Sequence, residues 1–156
     1  MKNLLLVLVL FFSFLVRTQA QQNSKEVVPT LEVEKAFQND FPKIKATWRK
    51  DYGGEDKDEL DFEADFTVNN TNMTAVYTVL GIFRVLEVEI KTADIPAKIS
   101  NYLAKNYPKN KIKKAAKVMT NSNKITYEIG ITINDKWVDV VFDKECDFLK
   151  MVQKDK

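Results

Sequence analysis

The stretch Asp61-Phe62-Glu63-Ala64-Asp65-Phe66-Thr67-Val68-Asn69 alternates acidic or polar residues with apolar ones and ends on an asparagine. A period of two is the mark of a strand with one buried face, and asparagine tolerates the backbone of a tight turn. The same statement returns 65 positions later as Thr126-Tyr127-Glu128-Ile129-Gly130-Ile131-Thr132-Ile133-Asn134. Upstream of each copy stands a matching frame. Val28-Pro29 followed by Phe41-Pro42 is answered by Ile95-Pro96 followed by Tyr107-Pro108.

Between those prolines the period changes. Val33, Ala36, Phe37 and Phe41 fall at i, i+3, i+4 and i+8, and Ile99, Tyr102, Leu103 and Tyr107 repeat the spacing of an apolar helical stripe. Pro29 and Pro96 are expected in the first helical turn, where a missing N–H is harmless, and Pro42 and Pro108 beyond the last turn. After the first helix Ile44, Ala46 and Trp48 alternate with Lys43, Lys45, Thr47 and Arg49, so a basic strand face is expected opposite Asp61, Glu63 and Asp65 across the loop from Asp51 to Asp58. Further strands are expected over 73–79, 83–90, 112–119, 125–133, 137–142 and 148–152, joined by short turns and therefore antiparallel. The expected fold is α+β, a helix plus a four-stranded antiparallel sheet stated twice, over residues 28–91 and 92–156. A single such unit covers only one sheet face, so the two units should join with both helices on one side and the other side bare.

Residues 1–20 read as a signal peptide: Lys2, an apolar run from Leu4 to Val16, then Thr18-Gln19-Ala20, with cleavage expected after Ala20. The run falls short of the roughly 20 residues a membrane-spanning helix needs. Residues 21–27 read as a flexible leader. The location expected is secreted or periplasmic, with no membrane insertion after cleavage. Gln21 stands where a lipid-anchored precursor would carry cysteine. Because Lys2 and Arg17 leave with the signal, the 24 basic and 22 acidic residues of the chain become balanced. Balance argues against nucleic acid, whose binding rests on clustered cations. Cys146 is the only cysteine, which excludes an internal disulfide.

Chemistry is thinly represented. The chain contains no histidine, so Ser-His-Asp and Cys-His catalysis are excluded, as is the commonest ligand of catalytic zinc. Four glycines, at 53, 54, 81 and 130, write no phosphate-binding loop. Asp61, Glu63 and Asp65 share one strand face and are the remaining route to a carboxylate-dependent hydrolase, although Lys45 and Arg49 opposite them favour a neutralised, solvated face. The acidic stretch Asp51–Glu59 lacks the ligand order of a calcium loop. No enzyme, cofactor or metal is therefore expected. Aromatic residues point to a protein or peptide partner. Alternation sends Val138, Val140 and Phe142 to the helices and Trp137, Asp139 and Val141 to the bare face, so Trp137 and Val141 become candidate contacts. Tyr52, beside Gly53-Gly54 in the loop, joins them. Trp48, in phase with Ile44 and Ala46, is a candidate weighted toward the core.

The order of Val-Pro or Ile-Pro, a helix ending in Phe41-Pro42 or Tyr107-Pro108, Trp48, Phe62-Glu63-Ala64-Asp65-Phe66 and Val141-Phe142-Asp143 resembles the secreted bacterial PepSY-like proteins, and among them the β-lactamase-inhibitor-like (BLIP-like) group. The resemblance spans about residues 28–152. It implies two helix-plus-sheet repeats side by side, no established catalytic residues, and a role in binding or restraining an envelope protein such as a peptidase. Two departures stand out: the turn written Phe-Asp-x-Asp-Gly in that group is Phe142-Asp143-Lys144-Glu145-Cys146 here and Tyr77-Thr78-Val79-Leu80-Gly81 in the first copy. A cysteine in place of a turn glycine challenges the geometry of that turn. The expected function is a non-enzymatic binding module, with a structural or self-associating envelope protein as the alternative.

Overall fold

The computed structural model describes residues 27–53 and 59–154. The expected signal peptide, most of the expected leader and the centre of the acidic loop lie outside the described residues. Two helices, α1 (Leu31–Asp40) and α2 (Ala97–Asn106), each precede four strands: β1 (Thr47–Gly53), β2 (Glu59–Val68), β3 (Thr71–Thr78) and β4 (Phe83–Glu89), then β5 (Ile112–Thr120), β6 (Ile125–Ile133), β7 (Lys136–Asp143) and β8 (Phe148–Lys154). All eight strands form one antiparallel sheet in sequence order. A short 3-10 turn at Thr92–Asp94, which periodicity does not reveal, leads into α2.

Register shows that both helices cover the same side. The ladder Phe66–Met73–Val88–Lys117–Tyr127–Phe142 runs from β2 to β7 on that face. Beneath α1, Val33 and Phe37 pack on Phe62, Ala64, Phe66, Ala75 and Tyr77. Beneath α2, Ile99 and Leu103 pack on Ala115, Ile129, Ile131, Val140 and Phe142. These are separate apolar cores under one continuous sheet.

Local chemistry corrects the helix starts. Pro29 lies before α1 and Thr30 is its cap: the hydroxyl accepts from the Val33 N–H (3.3 Å) and donates to the Val79 carbonyl (2.9 Å), tying the helix to the β3–β4 turn. Pro96 occupies the cap position of α2 and offers no side-chain bond. The first strand also starts later than alternation suggests. Lys43 adopts φ 66° and the Ile44 carbonyl accepts from Gln38, so Ile44 and Ala46 belong to the helix exit and the strand begins at Thr47.

The turn with the misplaced cysteine keeps its shape. Gly81 (φ 76°) and Cys146 (φ 64°) are both left-handed. Thr78 N–H donates to Ile82 O (3.0 Å) and Asp143 N–H to Asp147 O (2.9 Å), while Gly81 and Cys146 donate to Thr78 O and Asp143 O. Cys146 therefore adopts a conformation that disfavours a side chain, and it packs partly against the second core.

A concave candidate binding face

The helix-free side is not the flat, open face that alternation alone implies. Arg49 of β1, Glu63 of β2, Thr74 of β3 and Glu87 of β4 line one hollow of about 430 Å³ together with Ala116 of β5, Gly130 of β6 and Trp137 of β7. In a flat sheet β1 and β7 would stand about 29 Å apart, at roughly 4.8 Å per strand. Twist and coiling bring the flanks together. Small residues let them do so: Ala116 and Gly130 sit in the middle strands, and long charged side chains rise from their neighbours.

Gly130 has a specific reason to be glycine. A Cβ there would stand 2.7 Å from Cζ2 of Trp137, so the indole lies directly over the bare backbone. Trp137 Nε1, on that same edge of the ring, donates to Asp139 Oδ1 at 3.0 Å, which holds the indole in place. A glycine inside a strand is the signal by which the sequence could have revealed this platform.

Charges on the face are organised. Arg49 bridges Glu63 (2.8 Å) and Asp65 (2.6 Å), and Asp65 also accepts from the Thr74 hydroxyl (2.7 Å). Burial favours the neutral form of Asp65, but the hydrogen bonds from Arg49 and Thr74 override it and hold its pKa below the usual value. Glu63 goes the other way: burial raises it and outweighs Arg49. Burial also works to lower the Lys114 pKa, yet the nearby carboxylates of Glu87, Asp139 and Glu128 leave it raised, with Glu87 at 3.0 Å.

Asp61, the third acid of the strand, is buried and belongs to a different arrangement. Its partner is Arg84 of β4, with Nε 3.1 Å from Oδ1, and Arg84 also pairs with Glu59. Neither Asp61 Oδ1 nor Arg84 Nε makes a further hydrogen bond. Asp61 is thus held in an ion pair separate from the one that joins Glu63 and Asp65 to Arg49. Among the described residues no group of three histidine, cysteine or acidic side chains could hold a metal ion.

This pair gives a pH prediction. Burial raises the Asp61 pKa despite Arg84, so its stabilising contribution is present below the unfolded value near 3.8 and is lost as pH rises through the folded value. Arg84→Met should cost about 2 kcal/mol at neutral pH, below the roughly 3–5 kcal/mol of a fully buried pair because Arg84 is partly exposed. Without Arg84 the carboxyl pKa climbs further. Urea midpoints of the variant should therefore recover toward wild type between pH 7 and pH 4, and a deficit that stays constant with pH would contradict this reading.

The candidate contacts separate. Trp137 lines the hollow. Val141 points to the same side but is only 3% exposed, covered between its partners on β6 and β8, so it is a packing residue and not an open contact. Tyr52 lies within β1 rather than in the loop, opposite Leu60, and is 58% exposed. It shares phase with Trp48, which faces the helices and meets Phe37 edge-on at 5.4 Å. Tyr52 and Trp137 thus lie on opposite sides of the sheet and cannot form one surface.

Solved structures share this architecture. A proposed periplasmic protein of Bacteroides eggerthii superposes with a TM-score of 0.67 at 14% identity, over 81% of this chain and 90% of that one. A DUF2874 family protein of Bacteroides ovatus gives 0.67 at 15% identity over 81% and 89%, and a BLIP-like protein of Bacteroides fragilis 0.60 at 13% over 81% and 87%. The fold is BLIP-like. No family model matches the sequence, and no curated protein does. At these identities the likeness concerns fold alone. No helix among the described residues is long and apolar enough to cross a membrane.

Proposed function

We propose that this chain is a non-enzymatic envelope binding module of the PepSY-like kind, secreted or periplasmic after cleavage behind Ala20, which holds a protein or peptide in the hollow of its helix-free face. The observation that carries the proposal is Trp137 laid over Gly130 inside a concavity to which seven strands contribute. Concave surfaces with a fixed aromatic anchor and a polar rim suit protein recognition. The two halves are read as copies of one module, supported by their matching turns at Gly81 and Cys146.

The test is capture from native envelope extract with wild type and three variants. Trp137→Ala and Gly130→Val should each lose the partner, by at least about tenfold for a central aromatic anchor. Tyr52→Ala, on the other side of the sheet, should retain it. Capture that survives both hollow variants and fails with Tyr52→Ala would move the site to the helix side and end this proposal.

A further inference from the structure

The hollow does not stop at Trp137. A second depression, of about 310 Å³ and including Asp65, Asn72 and Glu89, shares Thr74, Glu87, Lys114 and Ala116 with the first, so the two form one trough along the helix-free face. Six carboxylates line it, Glu63, Asp65, Glu87, Glu89, Glu128 and Asp139, against two cations, Arg49 and Lys114. The chain as a whole has a formal charge of +2. Negative charge is therefore concentrated in this trough of a molecule with no overall acidity to explain it.

The trough also shows which cation it accommodates. Lys114 rises from its floor strand and its ammonium sits 3.0 Å from Glu87, with Asp139 and Glu128 contributing to the field around it. Concave low-dielectric walls focus such a field. The half-buried indole of Trp137 adds a surface that attracts a cationic head and packs a methylene stem. A single divalent ion fits poorly, because the acids are spread along the trough and no three of them could share a metal.

Resting on the binding-face reading above, we propose that the occupant of this trough is a lysine- or arginine-bearing segment of a partner protein. Its cationic heads meet the carboxylates along β2, β4 and β6, and its stem or backbone lies on Trp137 and Ala116. Arg49 and Lys114 divide the acidic lining and set the spacing at which incoming cations fit. Complementary charge of this kind governs encounter and register more than total affinity, so the interaction should weaken steeply with salt.

The experiment uses the mature protein labelled with ¹⁵N and titrated in low salt with four probes: blocked tetralysine, tetraglutamate, tetraserine and spermidine. Tetralysine should shift the Trp137 indole N–H and the Gly130 amide, and should bind at least about tenfold tighter than the other three. Glu87→Gln with Glu128→Gln should weaken tetralysine about tenfold, and Lys114→Gln should tighten it about threefold, a gain that misfolding cannot imitate. Equal shifts from tetraserine or tetraglutamate would overturn the cationic partner while leaving the binding face intact. Spermidine binding as tightly as tetralysine would overturn the peptide assignment. Shifts confined to residues outside the trough, or none with tetralysine, would overturn the inference outright, whereas the binding face itself falls only if captured partners ignore Trp137→Ala and Gly130→Val.

Discussion

Phe37→Ala should lower the unfolding free energy by about 4 kcal/mol, within the roughly 3–5 kcal/mol typical of a buried phenylalanine. The ring is 1% exposed and lies at the centre of the first core. Its centroid stands 5.2 Å from Phe66, 5.3 Å from Phe41, 5.4 Å from Trp48 and 6.4 Å from Tyr77. Three of these contacts are edge-on, the favourable aromatic arrangement, so truncation forfeits their geometry as well as apolar area. Helix and sheet cannot close the gap, because Thr30 and the β3–β4 turn fix the start of α1 and the Tyr77 hydroxyl bonds Asp40 at its end (2.8 Å). The two tryptophans make the result readable. Trp48 sits in the damaged core and Trp137 on the far face of the other half, so urea melts of the two single-tryptophan variants should part company in the Phe37→Ala background. A loss below about 1 kcal/mol would mean that the site collapses freely, contrary to this packing.

Gly81→Ala should cost about 3 kcal/mol. Two effects add. The residue is left-handed at φ 76°, which penalises any Cβ by roughly 1–2 kcal/mol. The new Cβ would also stand 2.6 Å from the carbonyl oxygen of Glu32 and 2.9 Å from its carbon, and these are backbone atoms of α1 that cannot rotate away. Relief requires the helix to lift off the turn, which strains the bond from Thr30 to Val79. Cys146→Gly is the informative control, because the matching residue already carries a side chain at φ 64°. Removing it relieves the left-handed penalty but also frees the unfolded chain and deletes a partly buried thiol, so its net effect should stay within about 1 kcal/mol. Thermal unfolding of both variants checks the contrast. Equal losses at the two positions would show that the approach of α1 to Gly81 is not what constrains it.

Much of the architecture was legible in residue order. The switch from a 3.6 period around Val33 and Phe37 to a strict two around Phe62, Ala64 and Phe66 places α1 and β2 and says which faces they bury. Asn69-Asn70 and Asn134-Asp135 mark tight turns, and all four residues have positive φ. Alternation fails where tertiary geometry intervenes. It cannot see that Lys43 turns left-handed and delays β1, or that curvature converts a bare face into a trough. It misjudged Val141 because parity assigns a side and not an exposure: neighbouring strands cover that residue. It set Tyr52 beside Trp137 because a loop has no phase, whereas the residue lies in register with Leu60 inside a strand. Gly130 was the missed clue, since a lone glycine in an apolar strand asks what approaches it, and the answer is the indole of Trp137.

The two halves meet through β4 and β5, whose register runs only from Val85 opposite Thr120 to Glu89 opposite Ala116, and each half keeps its own grease under its own helix. The trough bridges that junction, with Arg49, Glu63 and Glu87 on one bank and Lys114, Glu128 and Trp137 on the other. A guest seated there touches both banks at once, and whatever binds only the assembled form stabilises the assembly. Such a guest acts as a suture, adding contacts across the seam that joins the two halves of the sheet.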